Sequence, residues 1–482
     1  MADQVAIIGS GFAGLCMAIR LKQAGIHSFT VYERALDIGG VWRDNTYPGA
    51  GSDVASHLYC YSFEQSFGWS RSFPRQEEML RYLQHCVEKY GLRPHIRFGV
   101  EVVGARYDEV AKRWELEDAH GGLHQARTLV PALGQLSKPK IPEDLSMQDF
   151  TGVVFHSSEW KHDHDLTGKK VGVIGTGASA VQLIPEIAAK VGKLSVFQRS
   201  ATWILPKFEY RFGRAHQTMF KTRAGRMFFR GAWFVFGDFV AYSAIRGGRI
   251  GKILGYLCSW QLRRQIQDPE LRDKLTPEFP AGCKRVALSD TYYPALARNN
   301  VELITEKIVQ VTAHGVVTAD GVEHEVDTLI CASGFMGTEF LAPMEITGRN
   351  GVRLREDAWA EGASAYLGMA VPKFPNLFIL YGPNTNLGST SVLLMIEAQV
   401  RYTVKCLLLM ESRGHEEMEV STQAFQAYQD ELEKSLEGTV WAAGCSSWYK
   451  TESGKIVSNW PKRVLRYRRE TKLPRLEHFL VD

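Results

Sequence analysis

Two separate strand–glycine–helix units constrain the fold of this chain more than any other feature of its sequence. In each unit a short apolar run, residues 5–8 in the first and Lys170–Ile174 in the second, leads into closely spaced glycines and a helical pattern. Because glycine has no Cβ, a pyrophosphate can approach the backbone, where the amides at the helix start point toward its charge. Two such units predict an α/β protein with two Rossmann-like dinucleotide-binding domains.

The composition is that of an ordinary globular enzyme. The 482 residues suffice for about three domains, and hydrophobic residues make up 45% and charged residues 23% of the chain. The formal net charge of +4 is too small to indicate a nucleic-acid partner.

No targeting or membrane-spanning segment is expected. The strand pattern begins near residue 4, which leaves no room for a signal peptide, and the apolar run at 231–245 is short and contains Asp238. The eight cysteines lack CxxC spacing, which favours reduced thiols and gives no metal site. We therefore expect a cytoplasmic protein.

The first unit has the features of an FAD site. Gly9, Gly11 and Gly14 form the glycine turn, and a second strand, residues 29–32, leads to Glu33, nineteen positions after Gly14. A carboxylate at this offset accepts hydrogen bonds from a free ribose hydroxyl. The alternative is a glycine-rich turn that only packs the helix against the strand.

The second unit carries an arginine, Arg199, at the corresponding offset from Ala180. An arginine suits a 2′-phosphate, so we expect NADPH at this unit. The alternative is that Arg199 is a solvated charge at a strand end. The residues of this unit expected to contact NADPH are Gly175, Thr176, Gly177, Ala178, Ser179, Arg199 and Ser200.

Further glycine-rich segments suggest close approach to a flat ring system. The run from Gly39 to Trp42 and the loop at 47–53 give a tight, irregular backbone. Asp53 ends this loop, where the ordinary role of an aspartate is to cap a turn or a helix. Apolar strands that end in Gly134 and Gly334 are interpreted as exits between the two nucleotide domains, and a third such strand is expected at 378–381.

Residues from about 207 to 273 interrupt the second unit with helical sequence rich in aromatic residues and arginine. An aromatic stripe usually belongs to the core, but in this architecture the insert is expected to form one wall of a largely apolar pocket. The alternative is a peripheral contact of its basic helices with a membrane surface.

The segment just before the second glycine turn carries a family resemblance. Phe150-x-Gly152-xxx-His156-xxx-Trp160 is similar to the fingerprint of the Baeyer–Villiger monooxygenases, within the class B flavoprotein monooxygenases. The resemblance covers nearly the whole chain. Together with the two units it predicts an FAD-binding domain at 1–145 and 334–482 (with a C-terminal cap), an NADPH-binding domain at 146–207 and 276–333, and a helical insert at 208–275.

The resemblance also implies site residues. Arg285 matches the catalytic arginine of the family, and Asp53 matches the aspartate that holds this arginine and the nicotinamide in place. Lys284 is expected to join Arg199 and Ser200 on the 2′-phosphate, and Trp448 to lie on the nicotinamide side. The positions expected near the flavin are Gly40, Val41, Trp42, Tyr59 and Gln135.

The reaction implied by the resemblance is insertion of one oxygen atom from O₂ into a ketone, through a C4a-peroxyflavin, to give an ester or lactone. Flavin-dependent N- or S-oxygenation is one alternative, and a non-oxygenating flavin-binding protein or NADPH oxidase is another. The ketone, the regioselectivity and the oligomeric state are left open. Three positions depart from the family pattern: Lys161, Leu133, and Gly51-Ser52, where many members carry Arg-Cys and so have one more positive charge.

Overall fold

Two larger β-sheets organise the computed structural model, which describes residues 3–142, 145–442 and 447–482. The first strands are β1 (Asp3–Ile8), β2 (Phe29–Glu33), β3 (Ile96–Phe98), β4 (Val102–Asp108), β5 (Arg113–Asp118) and β6 (Leu123–Pro131). They are followed by β7 (Val153–His156), β8 (Lys170–Ile174), β9 (Lys193–Phe197), β10 (Ile204–Leu205), β11 (Ala287–Leu288) and β12 (Val301–Ile304). The remaining strands are β13 (Ile308–Val311), β14 (Gly315–Thr318), β15 (Glu323–Glu325), β16 (Thr328–Cys331), β17 (Glu345–Thr347), β18 (Met418–Val420) and β19 (Phe479–Val481).

Helices surround both sheets. In the first half they are α1 (Phe12–Gln23), α2 (Val41–Asp44), α3 (Gln76–Lys89), α4 (Ala178–Ile187), α5 (Arg214–Lys221), α6 (Arg223–Val235) and α7 (Tyr242–Ile245). They continue as α8 (Gly248–Gln265), α9 (Pro269–Lys274), α10 (Tyr292–Leu296), α11 (Leu393–Arg413), α12 (Thr422–Glu437) and α13 (Val464–Glu470). A π-helical turn, Phe236–Ala241, joins α6 to α7.

The first domain is built on a seven-stranded sheet of order β17-β4-β5-β6-β1-β2-β3. β1 lies between β2 and β6 and is parallel to both. Every residue of β2 is buried, as expected for a strand that is covered on both faces. α1 packs its apolar residues against α11, so the glycine turn between β1 and α1 is supported from both sides.

The second domain contains a five-stranded parallel sheet of order β12-β9-β8-β16-β7. Here β8, the glycine turn and α4 repeat the arrangement of the first domain. His156 of the Phe150–Trp160 segment is the last residue of the edge strand β7.

Two antiparallel chain segments connect the domains. The backbone N–H of Lys140 donates to the carbonyl of Gly334 at 2.9 Å, and that of Met336 donates to Lys138 at 3.0 Å. The strands that end near Gly134 and Gly334 therefore do lead into these crossings, as the sequence predicted.

The expected strand at 378–381 is not a regular strand. The N–H groups of Phe378 and Leu380 donate to Leu129 and Pro131 of β6, but a formal bridge forms only at Leu377. Positive φ angles at Asn376 (54°) and Tyr381 (56°) bound the segment on both sides, so it is too short to extend the sheet.

The expectation of reduced cysteines is wrong at Cys283, which is disulfide-bonded. Spacing along the chain does not reveal such a pair, because the fold decides which thiols meet. Six other cysteines are free and buried. In the described part of the chain no helix combines the length and apolar character needed to cross a membrane.

Candidate active site and cofactor sites

The turn after β1 has the close packing that the first glycines predicted. Gly9 has a φ of +104°, and a Cβ on Gly14 would lie 1.9 Å from the carbonyl oxygen of Gly9. Only glycine at position 14 lets α1 start directly against the strand. A dinucleotide phosphate would therefore meet bare backbone at this turn.

Glu33 lies at the end of β2, beside the same turn. Its carboxylate accepts hydrogen bonds from the backbone N–H and the hydroxyl of Ser10, at 2.9 and 2.7 Å. Burial opposes ionisation, but these hydrogen bonds, that of Ala35 and the charge of Arg43 outweigh it, so the pKa of Glu33 lies below its ordinary value. The carboxylate is thus ionised and ready to accept from ribose hydroxyls.

The expected flavin positions form a cradle next to this turn. Gly40 faces Gly11 so closely that a Cβ on Gly40 would lie 3.3 Å from the Cα of Gly11. Val41 and Trp42 follow in α2, and the ring of Trp42 meets that of Tyr59 at a centroid distance of 5.7 Å.

Gln135 provides a direct test of fit for a flavin. Its side chain is buried, and its Oε1 has no hydrogen-bond partner among the residues that the structure describes. Its Nε2 makes a long hydrogen bond of 3.4 Å to the carbonyl of Tyr381. A ring system with N–H and C=O groups at its edge satisfies this amide, so the residues present fit FAD.

The second glycine turn is also open toward a ligand. Gly175 has a φ of +114°, with a virtual Cβ 2.5 Å from the carbonyl of Ala332, and Gly177 caps the N-terminus of α4 with free space in front of it. The hydroxyl of Thr176 donates to the carbonyl of Ser200 at 2.8 Å, which holds the strand end beside the turn. Ala178 and Ser179 form the first turn of α4.

The residues expected at a 2′-phosphate do come together. Lys284 Nζ donates to the hydroxyl of Ser200 at 3.0 Å. Burial, together with the positive charge of Arg199, lowers the pKa of Lys284. Two cations held side by side repel each other, and a phosphate dianion between them would relieve this repulsion.

Asp53 lies between three polar partners, with its side chain 8% exposed. Arg285 places its Nη2 3.8 Å from one carboxylate oxygen, Oδ2. Lys207 places its Nζ 3.8 Å from the other oxygen, Oδ1, and Gln182 donates to Oδ1 at 3.4 Å. The aspartate and arginine expected to act together are therefore neighbours.

Arg285 remains a cation in this environment. Burial of the guanidinium lowers its pKa, but the carboxylate of Asp53 and the neighbouring tyrosines together outweigh that effect and hold the pKa above its ordinary value. The tyrosines Tyr59, Tyr381 and Tyr449 also lie close enough to interact with its charge. A fixed positive charge thus faces the region between the flavin cradle and the C-terminal segment.

Sequence reasoning missed Lys207 and Gln182. Lys207 is 9% exposed and supplies a positive charge at Asp53, where Gly51-Ser52 had suggested that one is missing. Gln182 projects from α4 and exchanges hydrogen bonds with the backbone of Gly51, at 3.0 and 3.3 Å, while accepting from the hydroxyl of Tyr47 at 2.9 Å. No motif marks either residue, because each is distant in sequence from Asp53.

Trp448, which the resemblance predicts on the nicotinamide side, lies next to Gly337 and Tyr449. Its ring packs over Gly337, where a Cβ would approach to 2.6 Å, and is tilted against the ring of Tyr449 at 4.6 Å between centroids. Since Tyr449 neighbours Arg285, Trp448 belongs to the surroundings of the active site. No contact of its ring with the second glycine turn is observed among the described residues.

His156 links its strand to a domain crossing. Its Nδ1 accepts from the backbone N–H of Ser158 at 3.2 Å, so its Nε2 is the protonated nitrogen and donates to the carbonyl of Gly334 at 3.0 Å. Burial lowers its pKa, which keeps the ring neutral. His156 therefore braces the crossing and has no contact with Asp53 or Arg285.

Comparisons with known proteins agree with this site. A family model described as flavin-binding monooxygenase-like matches residues 2–238. A Baeyer-Villiger monooxygenase of Pseudomonas aeruginosa is 41% identical over 480 residues, covering 97% of this chain and 89% of the relative. The chain belongs to the Baeyer–Villiger monooxygenase family.

Solved structures extend the likeness to the whole fold of this Baeyer–Villiger monooxygenase. Cyclohexanone monooxygenase from Rhodococcus sp. Phi1 bound to NADP⁺ superposes with a TM-score of 0.89 at 28% identity, covering 100% of both chains. OTEMO in complex with FAD and NADP gives a TM-score of 0.88 at 28% identity, covering 100% of this chain and 99% of the other. The expected fold class, the flavoprotein monooxygenase class and the cofactors FAD and NADPH are confirmed.

Proposed function

We propose that this Baeyer–Villiger monooxygenase inserts one oxygen atom into a ketone and releases an ester or lactone. The observation that carries the proposal is the contact of Arg285 with Asp53, with Nη2 and Oδ2 3.8 Å apart. A fixed cation at this place suits a reaction in which negative charge develops on a carbonyl oxygen.

We assign the two nucleotides to the two domains as follows. FAD occupies the domain formed by 1–145 and 334–482, with its ribose on Glu33, and NADPH occupies that formed by 146–207 and 276–333. The helical insert at 208–275 contacts both domains, through Phe229 to His57 of the first and through Gln261 to the carbonyl of Ser289 of the second. This assignment is supported by the ionised carboxylate at the first turn and the paired cations Arg199 and Lys284 at the second.

Bound NADPH would supply the reducing equivalents, and bound FAD would activate O₂. Ser200, with Arg199 and Lys284, binds the 2′-phosphate and so selects NADPH over NADH. The backbone at Gly11 and Gly40 and the amide of Gln135 orient the flavin ring.

Arg285 stabilises the negative charge that forms when oxygen adds to the ketone carbon. Its guanidinium cannot release a proton at any working pH, so it donates hydrogen bonds to an oxyanion without protonating it. Asp53 holds the guanidinium in place through its Oδ2.

Lys207 keeps this cluster positive overall. If Asp53 faced Arg285 alone, the pair would be neutral, whereas the ammonium at Oδ1 adds a second positive charge. Glu209 lies 3.4 Å from Lys207 but is itself held by Arg71 at 2.7 Å. The substrate side of Arg285 therefore keeps a net attraction for anionic oxygen.

The test is product analysis under ¹⁸O₂. Purified protein loaded with FAD is given NADPH and a panel of cyclic, linear and aryl ketones, with matched thioethers in parallel. We expect an ester or lactone that carries one labelled oxygen atom. Labelled sulfoxide without any ester, or hydrogen peroxide as the only product, would contradict the proposal.

A further inference from the structure

The helical insert exposes aromatic side chains that no other part of the described chain exposes. Within the described residues, exposed Phe, Tyr and Trp side chains occur only between 208 and 260, although aromatic residues make up 11% of the whole sequence. They are Phe208 (72% exposed), Tyr210 (40%), Phe228 (74%), Phe236 (52%), Phe239 (36%), Tyr256 (70%) and Trp260 (41%). Concentration of large exposed apolar groups in one segment marks an interaction surface.

On α8 the exposed apolar side chains form one stripe along the helix. Ile253, Tyr256, Leu257 and Trp260 have the spacing i, i+3, i+4 and i+7, which places them on one face of the helix, and all four are exposed. The opposite face is buried, through Cys258, Gln261 and Leu262. The apolar stripe thus points away from the protein.

α6 and the π-helical turn after it are apolar on both sides. Phe229 and Trp233 face inward, where Phe229 packs against His57 at 5.3 Å between ring centroids. Phe228 and Phe236 face outward and are more than half exposed. The inward side packs against the core of the first domain, and the outward side is exposed.

The same helices carry a strong excess of positive charge. Residues 214–265, from the start of α5 to the end of α8, contain ten Lys and Arg residues and a single acid, whereas the rest of the chain contains 47 Lys and Arg against 52 Asp and Glu. The single acid, Asp238, is buried and accepts from the backbone N–H of Val464 at 2.6 Å. The surface of these helices is therefore purely basic, while the remainder of the protein is acidic overall.

Basic and aromatic groups also meet within the stripe. The guanidinium of Arg264 lies 5.3 Å from the ring centroid of Trp260, and Arg249 and Lys252 are exposed at the start of the same helix. Tryptophan and tyrosine favour the boundary between lipid headgroups and acyl chains, and Lys and Arg favour anionic headgroups.

We propose that the outward face of α6 to α8 docks the enzyme onto an anionic phospholipid bilayer. The helices lie in the plane of the interface, with Phe228, Phe236, Tyr256 and Trp260 in the headgroup region and the basic side chains on phosphate and carboxylate groups. This arrangement is a peripheral contact and needs no spanning helix.

A second copy of the chain fits the surface less well. A two-fold interface would place the same patch on both subunits, so its exposed basic residues would face an identical basic set. Repulsion between like charges opposes such a contact, whereas an anionic bilayer complements it.

The test uses full-length FAD-loaded protein and vesicles, without ketone or NADPH, so that its result is independent of the oxygenation proposal. Sedimentation is compared for vesicles of phosphatidylcholine alone and of phosphatidylcholine mixed with phosphatidylserine. We expect binding to the anionic vesicles only, with a loss of binding as salt is raised.

Two double variants separate the two components of the surface. Each double variant should lower the partition coefficient on anionic vesicles by about tenfold or more. The first reverses two charges, Arg249→Glu with Lys252→Glu. The second removes two aromatic rings, Tyr256→Ser with Trp260→Ser. The matched control is Val110→Ser with Leu123→Ser, which removes two exposed apolar side chains (95% and 78% exposed) outside the insert and should bind as the parent does. NADPH consumption in vesicle-free solution should be unchanged in all three.

Two results would overturn the proposal. One is equal sedimentation of the parent with both kinds of vesicle, or equal binding by the parent and the double variants. The other is that the parent protein binds no vesicles but sediments as a dimer, whereas the Tyr256→Ser/Trp260→Ser variant sediments as a monomer. That result would assign the face to a second copy of the chain.

Discussion

Lys207 and Arg285 lie on opposite oxygens of the Asp53 carboxylate, each 3.8 Å away. One cation comes from the segment before the insert and the other from the segment after it, so the insert is anchored on both sides of a single carboxylate. The arrangement also places a positive charge beside the aspartate from a distant position, although Gly51 and Ser52 carry none next to it in sequence.

Replacing Lys207 with Met should slow oxygenation and leave the fold intact. Methionine preserves the length of the side chain and its packing over Phe73, whose ring centroid lies 5.4 Å from the ammonium. Loss of a charged partner of Asp53 corresponds to about 1.5–3 kcal/mol, so kcat for the ketone should fall roughly ten- to hundredfold while its KM changes little. Lys207→Arg should retain most of the rate. Steady-state kinetics with detection of the ester product measures both variants. An equal kcat for the Met and Arg variants would show that the positive charge at position 207 is unimportant.

Arg285→Ala should separate flavin reduction from ester formation. The guanidinium contributes to the step in which the carbonyl oxygen becomes negative, and removal of one such donor typically costs about a hundred- to a thousandfold in rate. Reduction by NADPH, measured by loss of flavin absorbance under anaerobic conditions, should stay within about threefold of the parent, since that step develops no oxyanion. Full ester formation by this variant would refute the role of Arg285.

The sequence predicts the two nucleotide units well because their physics is local. A buried strand, glycines that pack without Cβ atoms, and a helix start within a few residues of one another, so Gly9, Gly14 and Gly175 could be placed from the pattern. Glu33 and Arg199 follow from the length of one helix and one strand. Arg285 and Asp53 had no such local signal, and only a family resemblance selected them.

Contacts between distant segments are what the sequence could not reveal. Gln182 and Lys207 reach Asp53 only because α4 and the start of the insert converge on the loop at 47–53. The disulfide of Cys283 and the irregular segment near Leu377 depend in the same way on tertiary contacts.

Lys284 should make NADPH binding sensitive to alkaline pH. Its pKa lies below the ordinary lysine value, so the side chain loses its charge earlier as pH rises, and the attraction for the 2′-phosphate falls with it. The KM for NADPH should therefore rise with pH while the KM for NADH stays flat. Lys284→Arg should abolish the rise, because an arginine stays charged. Parallel KM curves for the two nucleotides in the parent enzyme would exclude this role.

Glu33→Gln should weaken FAD binding and alter the acid stability of the protein. The folded-state pKa of Glu33 is lowered, so its contribution to stability is complete above the unfolded value of about 4.5 and is lost as pH falls through the lower folded value. The variant should show about tenfold weaker retention of FAD, since an ionised acceptor forms the stronger hydrogen bonds. Thermal unfolding with flavin fluorescence across the acidic range measures both effects, and the parent and variant should converge at the acidic end.

Gln182 is the final test, because it joins the second glycine helix to the loop that carries Asp53. Gln182→Ala leaves the N–H and carbonyl of Gly51 without this partner, at a cost of about 1–3 kcal/mol, and frees Asp53 to move. We expect kcat to fall about tenfold with a lowered melting midpoint. Glu186→Ala, on the exposed side of the same helix, serves as the control and should match the parent. A lowered melting midpoint with kcat unchanged would show that Gln182 supports the fold alone and does not position the aspartate.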